Sequence, residues 1–376
     1  MKQRLVALDV LRGLTVGGMI LVNTPGSWRH VYAPLRHAAW NGMTPTDLVF
    51  PFFLFMMGVS ACYSLRKFDY RLDRALLAKI LRRTLLIFLI GIGLNAFGSI
   101  LASLRTALQE PDAALGAQLL DAMAHVRISG VLQRLAICYG IGSLILCTVR
   151  HRLLPALIAG LLAGYYLLLQ LGDGFVQGPE SLLARVDAFC LGAHSYKAAG
   201  PDPEGVLSTI PSVAHLLIGF CIGRICTERT ELSDRLVRLF LYGSLLLMGG
   251  LLFQYLCPLN KKIWSPTFAL AACGLATLLL AILIRTIDQT GRFRHTWPLE
   301  VFGMNPLFCY IFSQLFSVAI VRMPLRSMPL YDRLYAALAG WLSEGPFASL
   351  LCALIVTGVV WLAGLFLYRR KICIRI

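Results

Sequence analysis

Ten stretches of mostly apolar residues run through the 376-residue chain, at approximately 6–23, 47–65, 80–101, 130–149, 153–171, 206–225, 237–256, 265–285, 299–320 and 347–368. Each is close to the roughly 20 residues a helix needs to cross a hydrocarbon core about 30 Å thick. Backbone N–H and C=O groups find no water in that core, so such runs are expected to be helical. The predicted fold class is all-α: a polytopic integral membrane protein of about ten transmembrane helices, forming a single transmembrane domain over 1–376. Composition agrees, since 57% of the residues are hydrophobic and only 14% charged, against about 45–50% apolar in soluble domains. The opening MKQRLVALDVLRG carries Asp9 and Arg12 inside its apolar run and has no small-residue cleavage site. That pattern predicts a retained span and not a signal peptide.

A formal net charge of +16 would suit a nucleic-acid-binding protein if the basic residues formed one surface patch. They fall instead in alternate loops. With the N-terminus placed on the cytoplasmic side, the cytoplasmic segments hold 22 of the 35 Lys and Arg and the opposite loops hold 11, while Arg12 and Arg134 lie inside spans. Net of acidic residues, the cytoplasmic segments carry +15 and the outer loops +1. This positive-inside asymmetry predicts an even number of spans, both termini cytoplasmic, and no nucleic-acid partner. The 11 cysteines lie mostly inside apolar runs, with no CxxC and no Cys/His cluster at ligand spacing. Neither a disulfide framework nor a metal site is expected.

An ionisable side chain within a span is costly and marks a candidate site. Asp9 and Arg12, three residues apart, share a helical face and suit either a structural pair or a ligand contact. The densest polar cluster is His37, Trp40, Asn41, Thr44, Thr46 and Asp47, which follows Asn23 at the end of the first run. Asp47 reads either as a cap for the following helix or as a carboxylate that holds His37. Gln133 and Arg134 enter the fourth run, where the arginine either snorkels outward or meets an anionic ligand. Asp202 and Glu204 lead into the sixth run, and Lys261 and Trp264 border the eighth, where both residue types commonly anchor the interface. Asn305 stands before a proline inside the ninth, a signal for a broken helix.

The blocks LDVLRGLTVGGMILVN, LRHAAWNGMTPTDLVFPFFLFMMGVS, ILRRTLLIFLIG, VRISGVLQRLAICY, DPEGVLSTI, NKKIWSPTFAL and FGMNPLFCY occur in this order from the first run to the ninth. Together they resemble the transmembrane acyltransferase family that includes lysosomal heparan-α-glucosaminide N-acetyltransferase and its bacterial relatives linked to amino-sugar use. The resemblance implies transfer of acetyl from cytoplasmic acetyl-CoA, a co-substrate, across the bilayer to the amino group of a glucosamine-type sugar. It implies no metal, a bacterial inner-membrane location and, as in relatives, a homodimer. The family's essential histidine lies in the block LRHAAWNG, which carries onto His37. There an imidazole suits a general base in a ternary complex or, alternatively, a nucleophile that accepts acetyl. Asp47 is expected to fix its tautomer. Asn23 and Asn305 are expected as oxyanion donors, with Trp40, Asn41 and Glu204 positioning the acceptor. Arg12, Arg82, Arg83, Gln133 and Arg134 are expected near the CoA phosphates, and Lys261 and Trp264 beside pantetheine or acceptor. Two other readings use the same polar residues: a sugar transporter, and an acyltransferase acting on a glycolipid or cell-wall acceptor.

Overall fold

The computed structural model describes residues 5–109, 115–196, 200–228, 230–291, 295–322, 324–325 and 328–374. Of the basic residues in the charge asymmetry, Lys2, Arg4, Lys197, Arg229, Arg292, Arg294, Arg326 and Arg375 lie outside the described residues. Helices follow one another as α1 (Val6–Asn23), α2 (Val49–Leu65), α3 (Arg74–Gln109), α4 (Leu115–Ala124), α5 (Val131–Thr148), α6 (Leu154–Leu171) and α7 (Leu182–Leu191). The second half adds α8 (Thr209–Thr227), α9 (Leu232–Leu252), α10 (Pro266–Leu283), α11 (Trp297–Met304), α12 (Pro306–Arg322), α13 (Leu330–Leu342) and α14 (Pro346–Arg369). A two-residue antiparallel ladder, β1 (Pro324–Leu325) with β2 (Met328–Pro329), joins α12 to α13.

Among the described residues, nine helices are long and apolar enough to cross a membrane, and α11 with α12 raises the number to ten if the bent pair counts as one span. This multi-pass, all-helical architecture matches the ten runs, with two corrections. The third run is longer than its apolar stretch: α3 has 36 residues, about 54 Å at 1.5 Å per residue. Arg and Lys are good helix formers, so the helix continues through the charged residues that bound the apolar count. Arg82 and Arg83 therefore lie two turns inside α3 and not at its start. The ninth run is not straight, because α11 and α12 meet at Asn305 with a bend of 82°. Pro306 supplies no N–H and disfavours helical geometry in the residue before it.

Caps and close packing hold the framework. Asp288 accepts hydrogen bonds from the backbone N–H groups of Val6 (3.1 Å) and Ala7 (3.0 Å), capping α1 from the far end of the α10 segment. Ser265 caps α10 by accepting from the Phe268 N–H. Gly13 and Gly303 let α1 and α11 touch backbone to backbone, since a Cβ on either would strike the carbonyl of Leu299 or Asp9. Gly58 and Gly219 do the same for α2 and α8, against the carbonyls of Leu216 and Phe55. Small residues at helix crossings permit this approach in lipid, where packing, not water exclusion, drives association. Gly219→Leu is therefore expected to destabilise the protein by about 1–3 kcal/mol or more. In detergent this should be read as a thermal unfolding midpoint several degrees lower; an unchanged midpoint would refute the packing account.

Candidate active site

The segment between α1 and α2 is irregular because three prolines and a glycine pair of turns leave no room for a continuing helix. It folds instead as short 3-10 turns over Ala33–Leu35 and Pro45–Leu48, with His37 exposed between them. Thr44 and Asp47 form a capping box at the second turn. One Asp47 oxygen, Oδ2, accepts from the Ala38 N–H (3.1 Å) and the Thr44 N–H (3.1 Å). The other, Oδ1, lies 2.6 Å from His37 Nδ1. Asp47 thus fills both roles read for it, helix cap and histidine partner. Its side chain is 2% exposed whereas that of His37 is 45% exposed. An ionised carboxylate accepts only, so Nδ1 carries a proton, and in the neutral ring that leaves the lone pair on Nε2. Nε2 has no hydrogen-bond partner among the described residues.

The loop between α9 and α10 clasps this segment. Gly42 N–H donates to the Leu259 carbonyl (2.7 Å), Asn260 Nδ2 to Asn41 Oδ1 (3.2 Å), and Lys262 Nζ to the Ala39 carbonyl (2.6 Å). Lys261 Nζ consequently sits 3.6 Å from Asp47 Oδ1 and 3.3 Å from His37 Nδ1. With Nδ1 already donating to Asp47, the ammonium is an electrostatic partner of the carboxylate and not a donor to the ring. Burial lowers the Lys261 ammonium below the usual lysine range, and the Asp47 charge offsets only part of that.

His37 and Lys261 line a cavity of about 590 Å³ that extends between α1, α2, α3, α5 and α12. Asn23, Gln133 and Glu204 line it too. Its α3 wall contributes Asn95 and Ser99, and its α12 wall Tyr310, Ser313, Gln314 and Ser317. These residues were not among the sequence candidates. The α12 set is spaced three, four and seven residues apart, one helical face, so a polar stripe in an apolar run was the available signal. Another wall is an ion cluster also missed as a unit. Arg127 Nη2 lies 2.6 Å from both Asp202 Oδ1 and Glu204 Oε2, its guanidinium stacks on the Tyr196 ring at 4.4 Å, and Ser129 donates to Asp202 (2.5 Å). Burial alone would raise the Asp202 carboxyl, but the Arg127 charge and these hydrogen bonds hold it below its ordinary value. Nearby Asp187 goes the other way: burial pushes it up despite the N–H groups of Val206 and Asp202.

Other expected site residues lie behind or away from the cavity. Trp40 donates to the Phe175 carbonyl (2.9 Å) beneath Lys262. Trp264 is fully buried, edge-on to Phe50, His215 and Phe268, so it is a core residue and not an interface anchor. Arg134 is 2% exposed and does not snorkel. Its terminal nitrogens donate to the Gly205 carbonyl (2.7 Å), Ser208 (2.5 Å) and Ser212 (3.3 Å). Arg12 pairs with Asp9 (2.9 Å) and Ser60, Arg83 stacks on Tyr139 at 4.6 Å, and Arg82 is exposed. Asn305 binds the chain after α14, at the Ile372 carbonyl and the Ile374 N–H, both at 2.8 Å. The other end of α14 meets Gly26 and Ser27 near the His37 segment. With 24 residues in α14, Asn305 is about 36 Å along the helix from that end. The structure does not bring it to the cavity.

Residues 4–257 match the family described as heparan-alpha-glucosaminide N-acetyltransferase, catalytic, which is more than half of the chain. The chain belongs to this family. It is 28% identical to human heparan-alpha-glucosaminide N-acetyltransferase over 376 residues, covering 84% of this chain and 53% of the human protein. The mouse protein of the same name is 26% identical over 377 residues, covering 82% and 53%. The chain thus spans about half the length of the curated relatives it matches. Within the heparan-alpha-glucosaminide N-acetyltransferase catalytic match lie His37, Asp47, the α3 and α5 walls and the Arg127 cluster. Lys261 and the α12 stripe follow it in sequence and complete the same cavity.

Proposed function

We propose that this membrane protein transfers acetyl from acetyl-CoA, entering from the cytoplasmic side, to the amino group of a glucosamine-type sugar on the opposite side. The observation that carries the reading is the His37–Asp47 pair, with Lys261 beside it, opening into a membrane-embedded polar cavity. His37 Nε2 takes a proton from the acceptor nitrogen as that nitrogen attacks the thioester carbonyl. The tetrahedral oxyanion forms beside Lys261 and Asn23, the cation and amide donor that line the cavity with His37. The C–S bond then breaks, and the proton held by His37 passes to the departing CoA sulfur. Asp47 keeps Nδ1 protonated throughout and stabilises the imidazolium that forms.

Two unspent polar groups favour an amide-bearing co-substrate such as the pantetheine arm of CoA. Gln133 Nε2 and Ser317 Oγ are buried without a hydrogen-bond partner among the described residues, and both residues line the cavity. An unmet buried donor is costly, and a ligand amide or carbonyl would satisfy each. The excess of basic residues in alternate loops supports a cytoplasmic origin for the polyanionic donor. The names of the two mammalian relatives support an α-linked glucosamine-type acceptor.

The test is purified protein in proteoliposomes given labelled acetyl-CoA and an amino sugar, with acetylated sugar as the readout. Absence of transfer would overturn the reading, and sugar uptake that needs no acetyl-CoA would replace it with a transporter. If Lys261 meets the oxyanion, Lys261→Met should lower kcat by about 10²–10³-fold with little change in acceptor KM. Lys261→Arg should restore part of it. A kcat within threefold of wild type in Lys261→Met would remove that role.

A further inference from the structure

A second cavity adjoins the first from the outside of the bundle. Along α5, Gln133, Ile137, Ile141 and Ile145 recur every four residues and line it as one stripe. Leu157 and Leu161 of α6 and Val213 of α8 face them across a groove of about 460 Å³. Ile141 is 43% exposed, so the groove is open along its length. All three helices are long and apolar enough to cross a membrane, so the groove opens toward hydrocarbon.

Two features set this groove apart from ordinary lipid-facing surface. Its polar groups are gathered at one end, where Ser129, Gln133, Arg134, Glu204 and Thr209 lie, the last hydrogen-bonded to the Gly205 carbonyl, and the remainder is lined by aliphatic side chains with Phe88. Gln133 and Glu204 also line the His37 cavity. A wall one side chain thick therefore separates the apolar groove from the His37 cavity at this point. From Gln133 to Ile145 the stripe runs about 18 Å at 1.5 Å per residue. That is close to one leaflet, half of a core roughly 30 Å thick.

We propose that the groove holds the alkyl chain of a lipid-linked amino sugar, whose sugar enters the His37 cavity past Gln133 and Glu204. The inference rests on the acetyl-transfer reading and gives the acceptor a class: a glucosaminyl lipid taken laterally from the bilayer. The polar end of the groove faces the cavity, the polarity a lipid with its sugar headgroup at the catalytic end requires. The charge at the junction agrees. Arg134 has its terminal nitrogens committed to Gly205, Ser208 and Ser212, and Arg127 is shared between Asp202 and Glu204. Glu204 is the charged group common to both cavities, and a carboxylate there suits the ammonium of an unacetylated sugar. Gln133 Nε2, buried and without a partner among the described residues, carries two N–H groups, so beside one given to the pantetheine arm it offers a second to a sugar hydroxyl or glycosidic oxygen at the same junction.

The experiment uses the full chain in lipid nanodiscs with labelled acetyl-CoA and two acceptors, methyl glucosaminide and hexadecyl glucosaminide. Ile141→Trp and, from the opposite wall, Leu161→Trp narrow the groove. Leu241→Trp, on the exposed face of α9, controls for added bulk. The hexadecyl-to-methyl ratio of kcat/KM is expected to fall at least tenfold in each groove variant and to stay within twofold of wild type in the control. A ratio unchanged in both groove variants, with methyl glucosaminide still acetylated, overturns the groove while leaving acetyl transfer intact. Failure of wild-type protein to acetylate either sugar overturns the transfer reading and the groove's role with it.

Discussion

His37→Ala is expected to lower kcat for acetyl transfer by about 10²–10⁴-fold, the range a positioned general base supplies. The alanine removes the ring nitrogen that takes the amine proton. Folding should survive, since the ring is 45% exposed and its one strong hydrogen bond is to Asp47, which keeps its backbone N–H donors. Initial rates with labelled acetyl-CoA at saturating acceptor, alongside a thermal melt, give both numbers. A variant with more than a third of wild-type kcat would remove His37 from the chemistry.

Asp47→Asn should be nearly as damaging while leaving the loop in place. The amide oxygen still accepts from the Ala38 and Thr44 N–H groups, as Oδ2 does now. What faces His37 Nδ1 is then an NH₂ donor, so the ring turns to the tautomer with its proton on Nε2. The base is thereby protonated at the one nitrogen that has to be empty. Mispairing of this kind in a comparable His–Asp arrangement costs up to about 10⁴ in kcat. The expected result is a kcat at least 100-fold down, with an unfolding midpoint within a few degrees of wild type. Asp47→Ala, which also strands the Ala38 and Thr44 N–H groups, should lose stability as well. Near-normal turnover in Asp47→Asn would show that tautomer control plays no part.

Run length and apolarity were enough to read the membrane-spanning framework, because a bilayer imposes one length and one kind of backbone pairing on every crossing. The bend at Asn305 was also legible, since Pro306 carries its cause in the sequence. The fate of the Asn305 side chain was not. Its partners, Ile372 and Ile374, follow α14, and nothing in the local sequence signals that the chain returns there. The expectation of an oxyanion donor failed for that reason. His37 and Asp47 were legible together because they share one short segment whose Thr-x-x-Asp spacing already predicts a cap. The nearness of Lys261 was not, being set by packing between loops 224 residues apart. Tyr310, Ser313, Gln314 and Ser317 form a legible helical face, but neutral hydroxyl and amide side chains cost far less inside an apolar run than charges do and so mark a site less sharply.

That separation of 224 residues bears on how the protein is made. Chains emerge during synthesis at about 5–20 residues per second, so Lys261 follows His37 into the membrane by roughly 10–45 s. Through that interval His37, ten residues from Asp47, is already at hand as its partner, while the α9–α10 loop that clasps Ala39, Asn41 and Gly42 is still to come. The cation arrives later, and the α12 wall of the cavity later still. Assembly of the reactive centre therefore waits on the second half of the chain, and a ribosome-bound chain truncated before Lys261 carries the base and its carboxylate but no completed catalyst.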